Sequence, residues 1–392
     1  MKTAALAFLA LFGTTVTSVP AQSTGTGTGK NIVLTNDDGW AVAQVRAQVD
    51  ALAGAGFNVR PSVVSRSADL DALTLSVPLD DWVQVVLAAP AQDQSGTGSA
   101  TSTPSPLAVP CEFASCPAGS PAEGFNASDR ASRLLSPVRA SWLVGSLAHW
   151  RRTLLDVYCS AIELRERLPV SAPIPARRAC VCAEYLDVDD DSVDSVRFGI
   201  QTLAPQFFDG APPDLVVSGP NVGPAAASAS GLPAIAFSGT GTAHEAWTAL
   251  TDTPTSSTVS AAQGNAALAL RLVQALLAAS SPSSPLLPAH TFLNVNFPSL
   301  NSNASASPPC TPASAAFVLT RVFPLLLPLP VDVDTCGNGG RLPAENDVVT
   351  TPGGCFASVS AVDARTKLDA GKGAQAGVLE RLGSVLGCLP SS

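Results

Sequence analysis

Two adjacent carboxylates, Asp37 and Asp38, follow a short apolar run and are the residues whose types most directly suggest chemistry. The apolar run, Ile32–Leu34, is typical of a buried strand. Adjacent carboxylates at the end of such a strand repel each other, so a cation or strong hydrogen bonds must offset the repulsion. Carboxylate oxygens suit hard divalent cations such as Mg²⁺. The alternative is a solvated turn over Asn36–Gly39, because these residue types form turns without any chemistry.

A second polar segment follows the apolar run Val83–Ala89, which also predicts a strand. This segment, Ala91–Ser99, contains Ser95 and Gly96. Backbone amides of a Gly/Ser loop can cradle an anion, and a serine hydroxyl can bind a hard cation. Taken alone, the segment favours a plain flexible loop.

A third polar segment follows the predicted buried strand Leu215–Val217. Asn221 could offer its side-chain carbonyl to a cation. Gly219 and Gly223 would let the backbone approach a ligand closely. The alternative for Asn221 is an ordinary turn residue.

The elements between these segments predict how they are positioned. A helix is expected from Ala41, because apolar residues recur at helical spacing along it; they are Val42, Val45, Val49 and Leu52. A strand, an acidic turn and a helix open a βαβ unit, in which ligands bind at the carboxyl ends of the strands. The sequence therefore predicts an α/β fold, a Rossmann-like doubly wound and mostly parallel sheet, over residues 31–300.

Residues 301–392 are predicted to add a C-terminal hairpin and helix extension. Further strands and helices are expected from apolar runs and from helical spacing. The strands are Phe292–Phe297, Ala316–Leu327 and Phe356–Val362, and the helices are Ser260–Ala278 and an amphipathic closing helix, Ala370–Leu389.

Composition narrows the classes of function and points to export. The net charge of −9 over 392 residues argues against a nucleic-acid-binding surface, which needs a basic face. Residues 1–21 have the pattern of a signal peptide, and residues 22–30 that of a flexible spacer. The apolar run of this signal peptide is too short for a membrane span and no later segment is long and apolar enough for one, so we expect a secreted protein. Asn126 and Asn303 begin N-glycosylation sequons.

Residues 130–190 differ from their neighbours in being rich in arginine and in containing three of the nine cysteines. The segment is either an inserted subdomain or translated non-coding sequence, and we favour the second interpretation. Residues 60–82 also form a long stretch without clear periodicity, which is uncommon inside a compact domain. Six cysteines remain outside 130–190, an even number that suits disulfides in an exported chain, with their pairing open.

The three polar segments, in this order, resemble the motifs of the SurE survival-protein family, and most closely those of its secreted fungal branch. The family comprises metal-dependent acid phosphatases and nucleotidases. The resemblance implies that Mg²⁺ or Mn²⁺ is bound by residues from all three segments, which are Asp37, Asp38, Ser95 and Asn221. It also implies catalytic roles for Asp37 and Asn36, and phosphate binding by Gly96, Gly219 and Gly223. A small phosphate ester would be the substrate, and a homodimer or higher homo-oligomer the assembly.

The sequence departs from the family after Gly223. A Ser-Gly-Thr-Val segment that lines the phosphate site in the family is missing. The missing stretch is about fifteen to twenty residues long, and the residues that remain are too few to build the usual βαβ crossover. Gly239–Thr242 follows the wrong strand to replace it, and His244 is interpreted as a polar residue at a helix start. The departure leaves a catalytically silent metal-binding protein as the alternative function.

Two other hydrolase classes are disfavoured. A haloacid-dehalogenase-type phosphatase needs an aspartate nucleophile where this chain has Asn36. A serine hydrolase would need a Gly-x-Ser-x-Gly motif and a histidine in a triad-like context, and the sequence has neither.

Overall fold

The fold is described by a computed structural model, which covers residues 30–59, 84–95, 105–120, 123–125, 183–186, 192–222, 231–240, 243–280, 285–300, 309–325, 329 and 331–390. Several predictions from the sequence lie outside these residues. They are the signal peptide, most of the spacer, residues 60–82, most of 130–190, the gap after Gly223, the glycines Gly96 and Gly223, and the sequons at Asn126 and Asn303.

The described strands form one mostly parallel sheet. In chain order they are β1 (Asn31–Thr35), β2 (Asn58–Val59), β3 (Gln84–Pro90), β4 (Glu123–Phe125), β5 (Ala183–Leu186), β6 (Leu215–Val222), β7 (Ala234–Gly239), β8 (Thr291–Phe297), β9 (Ala316–Thr320), β10 (Phe356–Asp363) and β11 (Leu386–Gly387). Their order across the sheet is β11-β9-β10-β8-β7-β6-β1-β3-β5-β4, and β2 pairs with β3. The predicted α/β fold with a mostly parallel sheet is confirmed.

The central strands β3, β1, β6, β7 and β8 run parallel to one another. They are buried along almost their whole length, as expected for strands covered on both faces. Because β1 lies between β3 and β6 and runs parallel to both, the carboxyl ends of these three strands lie side by side. The topology therefore brings the three polar segments of the sequence to one edge.

Helices cover both faces of the sheet. In chain order they are α1 (Ala43–Gly54), α2 (Ser192–Phe198), α3 (Ala204–Phe207), α4 (Ala249–Asp252), α5 (Ser257–Ala278), α6 (Glu345–Val349) and α7 (Lys372–Leu382), and a π-helical turn, Gly199–Leu203, joins α2 to α3. Helices α1, α5 and α7 pack on one face over the largest hydrophobic core. Helix α3 and the preceding π-helical turn cover Val33, Val86 and Ala88 on the other face.

Helix α1 is buried on nearly all sides. It begins at Ala43, two residues later than predicted, and its polar residues Gln44, Arg46 and Gln48 are as inaccessible as its valines. The guanidinium carbon of Arg46 lies 5.8 Å from the ring centroid of Trp40 and 5.3 Å from that of Trp247. Packing of α5 against α1 accounts for much of this burial.

The C-terminal region continues the same sheet instead of forming a separate layer. Strand β10 pairs antiparallel with β8 and parallel with β9. The predicted closing helix is wrong at its end, because Leu386 lies in β11 and pairs with β9. A disulfide between Cys336 and Cys388 holds this last strand in place.

Six cysteines form three disulfides among the described residues. Besides Cys336–Cys388, these are Cys111–Cys116 and Cys310–Cys355. The sequence left this pairing open. One disulfide joins cysteines that are near neighbours in the chain, and the other two each close a loop of about fifty residues. Neither α5 nor any other helix in the described ranges has the length and hydrophobicity needed to cross a membrane.

Candidate metal centre

The loops that follow β1 and β3 and the end of strand β6 meet around the Asp37–Asp38 pair. The loop after β3 is tied to the loop after β1 by a backbone hydrogen bond, in which Gln94 N donates to Asp37 O at 2.8 Å. Ser95 Oγ donates to Asp38 Oδ1 at 2.8 Å. From the other side, Asn221 Nδ2 donates to Asp37 Oδ1. The structure thus brings together the four side chains that were expected to bind a cation, while their role as ligands stays a prediction.

Burial shapes the electrostatics of the acidic pair. Asp38 is 1% exposed, and Asp37 is partly buried. Burial raises the pKa of Asp37 from 3.8 to about 6, and the neighbouring Asp38 adds to this effect. The pKa of a carboxyl group rises in this way when the charged form loses water and meets a like charge. The site therefore disfavours negative charge at Asp37 unless a cation is bound.

Two buried amide side chains at the site have polar atoms without partners among the described residues. Asn36 is 1% exposed; its Oδ1 accepts a hydrogen bond from Asp38 N, and its Nδ2 has no partner. Asn221 is 3% exposed, and its Oδ1 has no partner. An unsatisfied buried polar atom costs about 1–3 kcal/mol, so such atoms point to a ligand.

The donor set fits a hard divalent cation. Two carboxylates and one hydroxyl from two loops converge with one amide carbonyl from the end of β6, and all four groups can supply oxygen. A rotation of the Asn221 amide would turn its unpartnered Oδ1 towards a cation beside Asp37. This rotation would break the hydrogen bond from Asn221 Nδ2 to Asp37 Oδ1, so it is favourable only when a cation lies between the two oxygens.

Gly219 has a structural reason to be glycine, in addition to its predicted contact with phosphate. Its φ is +94°, and a Cβ placed there would lie 2.2 Å from Phe237 O and 2.8 Å from Asn221 N. A side chain at this position would push against β7 and against the backbone that carries Asn221. Glycine at 219 therefore permits the close packing that positions Asn221.

Three ionisable residues at the site were not predicted from the sequence. His244 Nε2 lies 3.3 Å from Asp38 Oδ1, and His244 Nδ1 lies 3.4 Å from Asp93 Oδ2. Burial raises the pKa of Glu112 from 4.5 to about 7, with His244 acting in the opposite direction and Asp93 and Asp38 in the same direction. These residues gather close to Asp38, on the side from which Ser95 also approaches.

The interpretation of His244 as a helix-start residue is wrong. His244 lies in a segment without regular secondary structure, and the next helix, α4, begins only at Ala249. A signal was present in the sequence, because His244 follows the carboxyl end of β7 and Asp93 stands two residues before Ser95. Neither residue belongs to a periodic pattern, so only the strand order could reveal their proximity.

Comparison with known proteins decides the family. A sequence model described as the survival protein SurE matches residues 32–317, which include Asp37, Asp38, Ser95 and Asn221. The chain belongs to the SurE family. SurE proteins are metal-dependent hydrolases that act on small phosphate esters.

Among solved structures, the chain is similar to the crystal structure of the SurE protein from Aquifex aeolicus. The sequence identity is 16% and the TM-score is 0.38, and the alignment covers 85% of this chain and 93% of that chain. A search of curated proteins found no match.

Proposed function

We propose that this SurE-family chain is a metal-dependent phosphomonoester hydrolase of the acid phosphatase or 5′(3′)-nucleotidase type. The observation that carries the proposal is that Ser95, in the loop after β3, and Asn221, near the end of β6, contact the two carboxylates of the loop after β1. Convergence of oxygen donors at the carboxyl ends of parallel strands is the arrangement in which α/β proteins bind ligands.

The cation would be Mg²⁺ or Mn²⁺, held by Asp37, Asp38, Ser95 and Asn221. When bound, it would supply positive charge to the phosphoryl oxygens and to the attacking water, and most of the rate enhancement of phosphate hydrolysis has this electrostatic origin. Asp37 would then be ionised, because the cation offsets the burial that raises the pKa of its carboxyl group.

The chain's own residues would orient the phosphate. Asn36 Nδ2 is a buried donor without a partner among the described residues, and it is suited to a phosphoryl oxygen. Gly96, Gly219 and Gly223 would let backbone amides approach the same group. Asn36 also fixes the turn, because its Oδ1 accepts from the backbone amide of Asp38. In this proposal, Asn36 and Asp37 are the catalytic residues.

Hydrolysis of p-nitrophenyl phosphate and of nucleoside monophosphates, with Mg²⁺ or Mn²⁺, tests the proposal. Asp37→Asn should lower kcat by at least about 100-fold, the scale expected for one essential electrostatic group. Asp347→Asn is the matched control, because Asp347 is an exposed carboxylate in the first turn of α6. Cation binding without turnover of either substrate would reject the hydrolase and identify a silent metal-binding protein.

We further propose that the chain is exported, glycosylated at Asn126 and Asn303, and assembled as a homodimer or higher homo-oligomer. The signal-peptide pattern supports export, and three disulfides are compatible with it. Recovery from the culture medium, a mass shift with endoglycosidase and light scattering test the three points. Retention in the cells would reject export.

The SurE-like domain is proposed to span residues 31–300, with insertions at about 60–82 and 130–190, a deletion after Gly223 and an extension over 301–392. The unusual composition of 130–190 and the break in the motif after Gly223 support this division. Sequencing the transcript tests the insertions and the deletion together. A transcript that lacks 130–190 would identify that segment as translated non-coding sequence.

A further inference from the structure

Beside the proposed metal centre, Asp38, Asp93 and His244 form a second group of possible ligands. One donor atom from each residue lies within 4.8 Å of the donor atoms of the other two. The three residues come from the loops after β1, β3 and β7. Like the ligands proposed for the first cation, they are far apart in the sequence and close together in the fold. Asp37, Ser95 and Asn221 do not belong to it, and Asp38 alone is shared.

The geometry of His244 suits a ligand. Its two ring nitrogens face two different carboxylates, Asp38 at 3.3 Å and Asp93 at 3.4 Å. The side chains of His244 and Asp93 are 30% and 39% exposed, whereas that of Asp38 is 1% exposed. The group therefore opens to solvent on one side, which provides an entry path for an ion, and is anchored on the buried side by Asp38.

The surroundings of this group carry excess negative charge. Glu112 Oε2 is buried and has no hydrogen-bond partner among the described residues. It lies next to the turn that carries Asp38, since a Cβ on Gly39 would be only 2.6 Å from Glu112 Oε2. Three carboxylates thus gather around a single imidazole, an arrangement that a divalent cation would stabilise.

We propose that Asp38, Asp93 and His244 bind a second divalent cation, of the zinc class, beside the first. An imidazole nitrogen with carboxylate oxygens favours Zn²⁺ over Mg²⁺, which prefers oxygen ligands and keeps several waters. Asp38 would be the residue that the two cation sites share. Paired cations of this kind hold a phosphate ester from two sides.

Zinc titration by calorimetry, in the presence of saturating Mg²⁺, tests the second site. Wild-type protein should bind one Zn²⁺ per chain at this site, and X-ray absorption at the zinc edge should show scattering from one imidazole. His244→Ala should weaken zinc binding by at least about 10-fold and remove the imidazole signal. Asp93→Asn provides a second variant at an exposed position.

His290→Asn is the matched control for loss of an imidazole. His290 lies outside the site and has a φ of +58°, a conformation that asparagine tolerates and alanine does not. Zinc binding that is absent from wild type, or unchanged in both His244→Ala and Asp93→Asn, would overturn the proposal.

The second site rests on the proposed function only through Asp38, so the two can fail separately. Asp37→Asn should abolish Mg²⁺ binding and leave zinc at His244. Mg²⁺ binding that is unchanged in Asp37→Asn would reject the first site alone. Zinc binding that is unchanged in His244→Ala and Asp93→Asn, together with loss of Mg²⁺ binding in Asp37→Asn, would reject the second site alone.

Discussion

The raised pKa of Asp37 makes the stability of the metal-free protein depend on pH. The folded-state pKa is about 6, above the ordinary value of 3.8, so the folded protein binds more protons than the unfolded chain between these values. The free energy of unfolding must therefore fall as the pH rises through this interval. Ionisation of Asp37 therefore leaves the free energy of unfolding unchanged below about pH 4 and lowers it by the full amount above about pH 7.

The size of the effect follows from the interval between the two pKa values. Each pH unit corresponds to about 1.4 kcal/mol, so the interval from 3.8 to about 6 amounts to about 3 kcal/mol. Partial exposure of Asp37 lets solvent screen the charge, which reduces the expected loss to about 2 kcal/mol. Glu112 contributes in the same direction, because its pKa is also raised.

Asp37→Asn isolates the contribution of Asp37, because asparagine keeps the shape of the side chain and cannot ionise. Urea unfolding of the metal-free variant and wild type should give similar free energies at pH 4. At pH 8 the variant should be more stable than wild type by about 2 kcal/mol. Saturating Mg²⁺ or Mn²⁺ should stabilise wild type at pH 8 and leave the variant unchanged.

Asp347→Asn controls for the removal of any carboxylate, since Asp347 is exposed on α6. Its free energy of unfolding should follow wild type at both pH values. The reasoning would be refuted if the difference in free energy of unfolding between metal-free Asp37→Asn and metal-free wild type were the same at pH 8 as at pH 4. That result would mean that the carboxylate of Asp37 is satisfied without a cation.

Three further perturbations test the framework around the site. Gly219→Ala should destabilise the protein by at least about 2 kcal/mol, because its Cβ would overlap Phe237 O at a positive φ; thermal unfolding measures this. Replacing Cys336 and Cys388 by serine removes a link across 52 residues and should cost about 4 kcal/mol in urea unfolding. Ser256→Ala removes the side chain that caps α5 and should cost about 1 kcal/mol, with Ser256→Asp as the rescuing variant. Unchanged stability in any of the three would contradict the corresponding contact.

The sequence predicted the central strands because each combines a short apolar run with a clear turn. Strand β1 ends at Thr35, where the polar turn begins, and β8 ends at Phe297, just before a proline. Buried parallel strands have this signature whatever their neighbours are. The order of the strands is set by packing between distant segments, so the expectation that the three polar segments meet came from the family resemblance.

The failures share a cause, which is competition from tertiary contacts. Leu386 has the spacing of a helix stripe with Val378 and Leu382, yet pairing with β9 and the disulfide at Cys388 draw it into a strand. Arg46 lies off the apolar stripe of α1 and is nevertheless buried, since two tryptophan rings flank it. Periodicity indicates the apolar face that packs on the core and cannot show what covers the other face.

The acidic pair also explains how stability and metal binding are coupled in this chain. A ligand that binds only the folded state stabilises it by about 2.7 kcal/mol at 100 times its dissociation constant. This amount is close to the cost of about 2 kcal/mol assigned to ionised Asp37. Cation binding would therefore offset the burial of charge, and the unpartnered amide atoms of Asn36 and Asn221 would be satisfied in the same step. Removing the cation at neutral pH should thus loosen the loops after β1 and β3, which carry Asp37, Asp38 and Ser95, before it affects β11, which the Cys336–Cys388 disulfide holds in place.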